Sequence, residues 1–181
     1  QPLRAIADRC KGMAITAAKM KELAETPGEL RIFAGGQTMV DVDASLVPQD
    51  KIHSGPAIVV KSRGYIDFAF HEDLYTHKNE MWSYHVRPEK AHSKYVYYYL
   101  LSQKSTLQEV ARATSVKLPQ LGVRDTDGLK IPLPPLEVQR EIAAKLDAFT
   151  EYIDNLKRER ELRKKQYEHY RDQLLNFPVK A

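Results

Sequence analysis

IPLPPLEVQREIAAKLDAFTEYIDNLKRERELRKKQYEHYRDQLLNFP, residues 131–178, is the stretch on which the fold turns. It opens with Pro132, Pro134 and Pro135, whose fixed φ and missing N–H force extended backbone and cannot lie inside a helix. From Glu137 to about Asn176 there is neither proline nor glycine, most residues are good helix formers, and Phe177-Pro178 stops the run. At 1.5 Å per residue this predicts a rod on the order of 60 Å long. Ile142, Leu146, Phe149, Ile153 and Leu156, resumed at Tyr167, Tyr170 and Leu174, keep one alternating four-three register, the pattern of a coiled-coil seam. The same register puts Arg160 and Arg163 on the seam, so its middle is expected to pack less tightly. The competing reading is an ordinary amphipathic helix lying on its own domain, but a helix this long with a two-position stripe calls for another helix.

Upstream of the prolines the pattern is mixed. Ala57-Ile58-Val59-Val60 and Tyr65-Ile66-Asp67-Phe68-Ala69-Phe70 read as strands, with turns at Gly35-Gly36, Gly55-Pro56 and Gly64. Helices are expected over Ala17 to Glu25 and Ser93 to Arg112. The whole is an α+β fold: a globular domain over residues 1–135, then a long helix over 136–177. Trp82, between Met81 and Tyr84, is expected to anchor packing, as are most of Tyr95, Tyr97, Tyr98 and Tyr99, rather than to offer stacking faces.

Charge sets limits. The 181 residues hold 28 Lys and Arg against 24 Asp and Glu, and the excess is +3 up to Pro135 and +1 beyond it. Such a mild excess permits a polyanionic partner without demanding one, so a surface for one must be made by folding. A single cysteine, Cys10, excludes an intrachain disulfide and any Cys-rich zinc module, and fits a reducing compartment, the cytoplasm. No stretch approaches the roughly 20 apolar residues that cross a bilayer, and no signal peptide is recognisable, so no membrane association is expected. Beginning on Gln1 rather than Met, the sequence reads as a mature or excised segment.

The segment Leu118 to Gln139, LPQLGVRDTDGLKIPLPPLEVQ, resembles the junction between a target recognition domain and a helix in the specificity subunits of Type I restriction-modification systems. The resemblance extends to Leu3-Arg4-Ala5-Ile6-Ala7-Asp8 with Lys11-Gly12, to Ile58 through Ile66, to Thr76-His77-Lys78-Asn79-Glu80, to Lys94 through Leu101, and to Leu162 through Leu175. It implies two recognition domains separated by antiparallel helices, each domain reading half of a split target in double-stranded DNA, with methyltransferase subunits and a restriction subunit as partners. This chain has one domain and one helix. It is expected either to form a homodimer through Ile142, Leu146, Phe149, Ile153, Leu156, Tyr167, Tyr170 and Leu174, in an antiparallel coiled coil, or to be half of a longer chain.

Reading bases needs forked donors and acceptors that reach groove edges, with cations on phosphates. Residues of that kind in loop-like places are Gln37 and Thr38 after Gly35-Gly36, Lys61, Ser62 and Arg63 before Gly64, His77, Lys78 and Asn79, and Ser115, Lys117 and Gln120. The bland reading leaves Arg63 and Lys78 as solvated charges or fold-stabilising pairs. No His-x-x-x-His or His-Glu-x-x-His spacing occurs, nor a glycine-rich phosphate loop; Asp41 with Asp43, or Glu72 with Asp73, make a poor magnesium site. A non-catalytic, cofactor-free recognition subunit is therefore expected. The rivals are a protein-interaction adaptor that uses the long helix, and a recognition module of a fused modification-restriction enzyme.

Overall fold

Ala57-Ile58-Val59-Val60 carries three β-branched residues in a row and no polar alternation, the signature of a strand covered on both faces. In the structure, a computed structural model describing residues 1–114 and 117–176, these four residues have no solvent exposure. They belong to β4 (Ala57–Lys61), one of the two inner strands of a four-stranded antiparallel sheet with β1 (Ala7–Lys11), β5 (Asp67–His71) and β7 (Trp82–Val86) in the order β1-β7-β4-β5. A second sheet has β2 (Leu30–Phe33) at its centre, antiparallel to β3 (Met39–Val42) and parallel to β6 (Tyr75–His77).

Two apolar clusters hold these layers. Phe33, Ala57, Val59, Tyr75 and Met81 join the sheets, while Met20, Leu23, Leu30, Ile32, Val42 and Val47 pack α1 (Ala17–Leu23) on the smaller one. Thr16 starts α1 by accepting the Lys19 N–H at 3.1 Å, a side-chain cap for one orphan donor. The helix expected over Ser93 to Arg112 is two, α2 (Ser93–Ser102) and α3 (Lys104–Thr114). The break falls at Gln103, where the Ser102 hydroxyl donates back to the Tyr99 carbonyl at 2.7 Å. Trp82 is buried, as expected of a packing anchor, and its indole N–H donates to Thr126 Oγ1 at 3.1 Å on the short α4 (Val123–Asp127). Of the four tyrosines in α2 only Tyr95 is buried; the other three are half-buried.

The chain's first residues pair with those before the prolines: Ile131 N–H donates to Gln1 O at 2.7 Å, the Gln1 ammonium to Ile131 O at 2.7 Å, and Leu3 N–H to Leu129 O at 2.9 Å. Beyond the prolines α5 (Leu136–Leu175) runs for 40 residues, as the sequence predicts. Its first turn is fixed by Gln139, buried, which donates to the Pro134 carbonyl at 2.7 Å and accepts the His92 N–H at 2.9 Å. The chain divides into two compact units, Gln1–Arg140 and the segment from Glu141 on. In the second unit Lys145–Glu141, Lys157–Asp154 and Arg163–Glu159 form solvated pairs along the helix.

Candidate nucleic-acid interface

The β4–β5 connection reverses direction at Gly64, whose φ of +74° belongs to the left-handed region that glycine enters without penalty. Arg63, on the turn, is exposed and forms a β-bridge with Gln120, also exposed; Leu121 N–H donates to Ser62 O at 2.8 Å and Gly64 N–H to Pro119 O at 2.9 Å. Lys117 is exposed on the same approach. Ser62 donates its hydroxyl to the Glu80 carbonyl, which ties this turn to the segment after β6. There Lys78 pairs with Glu80 at 3.2 Å, and both line one cleft with Ala17, Met20, Gly35 and Thr38. Gln37 and Thr38 are exposed at the β2–β3 turn, which closes through Ala34 N–H to Thr38 O at 3.0 Å. Segments distant in sequence are thus linked in space as a polar rim: Thr38 lines one cleft with Lys78 and Glu80, Ser62 reaches the Glu80 carbonyl, and Arg63 bridges Gln120, with Gln37 and Lys117 exposed beside them in sequence.

Lys61, Ser62 and His77 do not lie in exposed loops. All three are buried: Lys61 ends β4, in register with Asp67, and His77 ends β6. The Ser62 and His77 side chains are polar because they serve internal hydrogen bonds. Asn79 is exposed, its N–H donating to Met13 O at 3.0 Å. Ser115 lies outside the described residues.

His77 belongs to a cluster of rings beneath that rim. Its Nδ1 faces the Lys78 carbonyl at 3.2 Å, which can only accept, so Nδ1 carries the proton and Nε2 accepts from the Ser83 hydroxyl at 3.2 Å. Ser83 then accepts from Tyr75 at 2.8 Å, and Tyr75 from His85 Nε2–H at 2.7 Å. His53 stacks on His77 with ring centroids 6.0 Å apart. Burial pushes the His77 pKa down to about 4, and burial likewise lowers that of His85. Among the described residues no group of three or more His, Cys, Asp or Glu could hold a metal ion. Asp41 is engaged by Arg31 at 2.7 and 2.8 Å, and Asp43 accepts the Ser45 N–H at 2.8 Å.

On the long helix Ile142 and Leu146 are half-buried, whereas Phe149, Ile153 and Leu156 are 64%, 50% and 47% exposed, and Tyr167, Tyr170 and Leu174 are exposed as well. Tyr152, Leu162 and Leu175, outside the four-three register, are also exposed. No helix among the described residues is long and apolar enough to cross a membrane.

The family described as Type I restriction modification DNA specificity domain matches residues 20–163. The chain is 38% identical over 89 residues to the specificity subunit of the EcoR124I/EcoR124II Type I restriction enzyme of Escherichia coli, an alignment covering 47% of this chain and 22% of that protein. It is 38% identical over 101 residues to a putative Type I restriction enzyme specificity subunit of Haemophilus influenzae, covering 49% and 24%. Among solved structures, the S subunit of a Type I restriction-modification system from M. genitalium superposes with a TM-score of 0.69 at 22% identity, over 97% of this chain and 46% of that one. The HsdS subunit from Thermoanaerobacter tengcongensis superposes with a TM-score of 0.62 at 20% identity, over 87% and 38%. At these identities the superpositions speak for the fold, and the chain spans less than half the length of each of these relatives.

Proposed function

Because the chain belongs to the Type I restriction modification DNA specificity family, which matches residues 20–163, we propose that its first unit reads one half of a split target in double-stranded DNA, and that the chain directs methyltransferase and restriction subunits to that target without catalysing a reaction itself. The observation that carries this reading is the polar rim of Gln37, Thr38, Lys78, Asn79, Arg63, Lys117 and Gln120, a mixture of forked donors, amides and cations suited to groove edges and phosphates. Lys61, Ser62 and His77 support the rim from below rather than touching DNA.

The test is selection of duplexes from a randomised pool by the full chain, followed by titration of the enriched duplex between about 50 and 200 mM salt. A recurring motif is expected, with affinity that falls steeply with salt. Lys78→Ala is expected to flatten the salt dependence by about one unit of log-log slope, as loss of one phosphate contact does. No enrichment together with salt-insensitive binding would sink this reading in favour of a protein-interaction adaptor.

The second unit completes the proposal. Phe149, Ile153 and Leu156 lie about half exposed or more, an apolar seam that in water favours a partner helix. Two copies paired antiparallel through it would form a homodimer with two recognition units and twofold symmetry, hence two inverted half-sites. The chain, 20.8 kDa, is then expected to sediment as a dimer, and Ile153→Glu with Leu156→Glu to weaken association at least about a hundredfold, since each buried side chain is worth roughly 1.5–3 kcal/mol. A double variant that still sediments as a dimer would place the contact elsewhere.

A further inference from the structure

A five-residue surface turn can satisfy its backbone with water, yet the turn Ser62–Ile66 is held from three sides. The 119–121 segment takes Gly64 N–H and gives Leu121 N–H to Ser62 O. Ser62 Oγ reaches Glu80 O. From α3, the buried side chain of Gln108 accepts the Ile66 N–H at 2.8 Å and donates to Gly64 O at 3.0 Å, so both ends of its amide are spent on the turn. Polar side chains are buried at a cost unless they are paired, and Gln108 is paired only by fixing this backbone among the described residues.

What the clamp presents is specific. Ser62 and Ile66 point inward and are buried, while Arg63 and Tyr65 are exposed, Tyr65 by 63%. The Tyr65 ring is braced by the Lys104 ammonium, 4.3 Å from its centroid, and Lys104 is held in turn by Asp67 at 2.9 Å. Arg63 and Lys117, both exposed, make no ion pair among the described residues, so the turn and its neighbour carry uncompensated positive charge that a polyanion complements. A turn backbone fixed in advance, with the Tyr65 ring braced, loses less freedom on binding than a mobile loop would.

Resting on the DNA-recognition reading above, we propose that Tyr65 is a contact residue of the DNA interface, its hydroxyl donating to a backbone phosphate beside the groove edge met by Arg63, and that Gln108 is a positioning residue that holds both in place. Lys104, held by Asp67, braces the face of the ring and so limits the positions the Tyr65 hydroxyl can take.

The probe is the duplex that the unmodified full chain enriches from the randomised pool. Tyr65→Ala is expected to bind it about tenfold more weakly and Tyr65→Phe, which keeps the ring but not the donor, about threefold, both with an unchanged urea midpoint because the side chain is exposed. Gln108→Leu is expected to lose about tenfold in affinity, and in an Arg63→Ala, Tyr65→Ala background to lose nothing further, the non-additivity that distinguishes positioning from general destabilisation. If the unmodified chain binds the duplex with steep salt dependence and Tyr65→Ala binds within twofold of it, Tyr65 is not a contact and the inference falls while the function stands; additive loss from Gln108→Leu would overturn its positioning role. Absence of any enriched duplex or salt dependence would bring down the reading of function, and this inference with it.

Discussion

Gly12→Ala is expected to destabilise the first unit by about 3 kcal/mol, at the upper end of what forcing one extra methyl into packed structure costs. A Cβ there would stand 2.3 Å from the His77 carbonyl oxygen, 2.5 Å from His77 Nδ1 and 2.5 Å from the Lys78 carbonyl oxygen. The neighbours cannot retreat cheaply. Met13 N–H donates to His77 O at 2.8 Å and Asn79 N–H to Met13 O at 3.0 Å, so the strand that would have to move is bonded to the chain that would push it. Gly35→Ala, whose Cβ would meet nothing within 4 Å, is the control and is expected to unfold at nearly the urea concentration of the unmodified chain. Equal midpoints for the two variants would show that the junction between β1 and β6 yields.

The second large effect is acid lability above the range where carboxylates titrate. His77 is buried as the neutral imidazole, with its pKa pushed down from 6.5 to about 4 by burial. The unfolded chain therefore binds this proton at a higher pH than the folded one. Stability from His77 is complete above about 6.5 and is lost as the pH falls towards 4, on the order of 3 kcal/mol over that window. His85 shifts in the same direction, burial being the main cause at both rings and the neighbouring His53 adding to the lowering at each. The groups around the His77 ring are His53, Tyr75 and Ser83, with His85 beyond Tyr75 and no carboxylate paired to the ring among the described residues. A proton on His77 Nε2 would also oblige the Ser83 hydroxyl to stop donating there. Urea midpoints measured between pH 7.5 and pH 4 are expected to fall steadily, and His77→Gln, which cannot take a proton, to fall less; parallel curves for both proteins would exclude His77 as the source.

The sequence was most legible where one rule dominates. Three prolines followed by forty residues free of proline and glycine left a helix as the only regular choice, and α5 runs from Leu136 to Leu175. Ala57 to Val60 was equally clear, because β-branched residues without alternation suit a covered strand. β1, β2, β3, β6 and β7 were harder to see. β1 reads ADRCK, with a polar surface that only its pairing with β7 explains, and β6 is three residues long. The rim was half legible: Arg63, Gln120 and Thr38 were named by chemistry and turn signals, but their adjacency depends on a bridge across 57 residues of sequence. Lys61, Ser62 and His77 read as loop residues because composition cannot distinguish a buried polar residue at a strand end, which for Ser62 and His77 serves an internal bond, from one in an open loop. Gln108 gave no signal, since a glutamine on a helix is ordinarily solvated.

The backbone pairing of Gln1–Leu3 with Leu129–Ile131 makes the polypeptide between them a closed ring, entered and left through one doorway. An exchange of genetic material with its breakpoints at the doorway replaces every residue inside and leaves arrival and departure where they were. On the reading proposed above, a lineage can then acquire a new DNA target in a single recombination, with the long helix and whatever assembles on it inherited untouched.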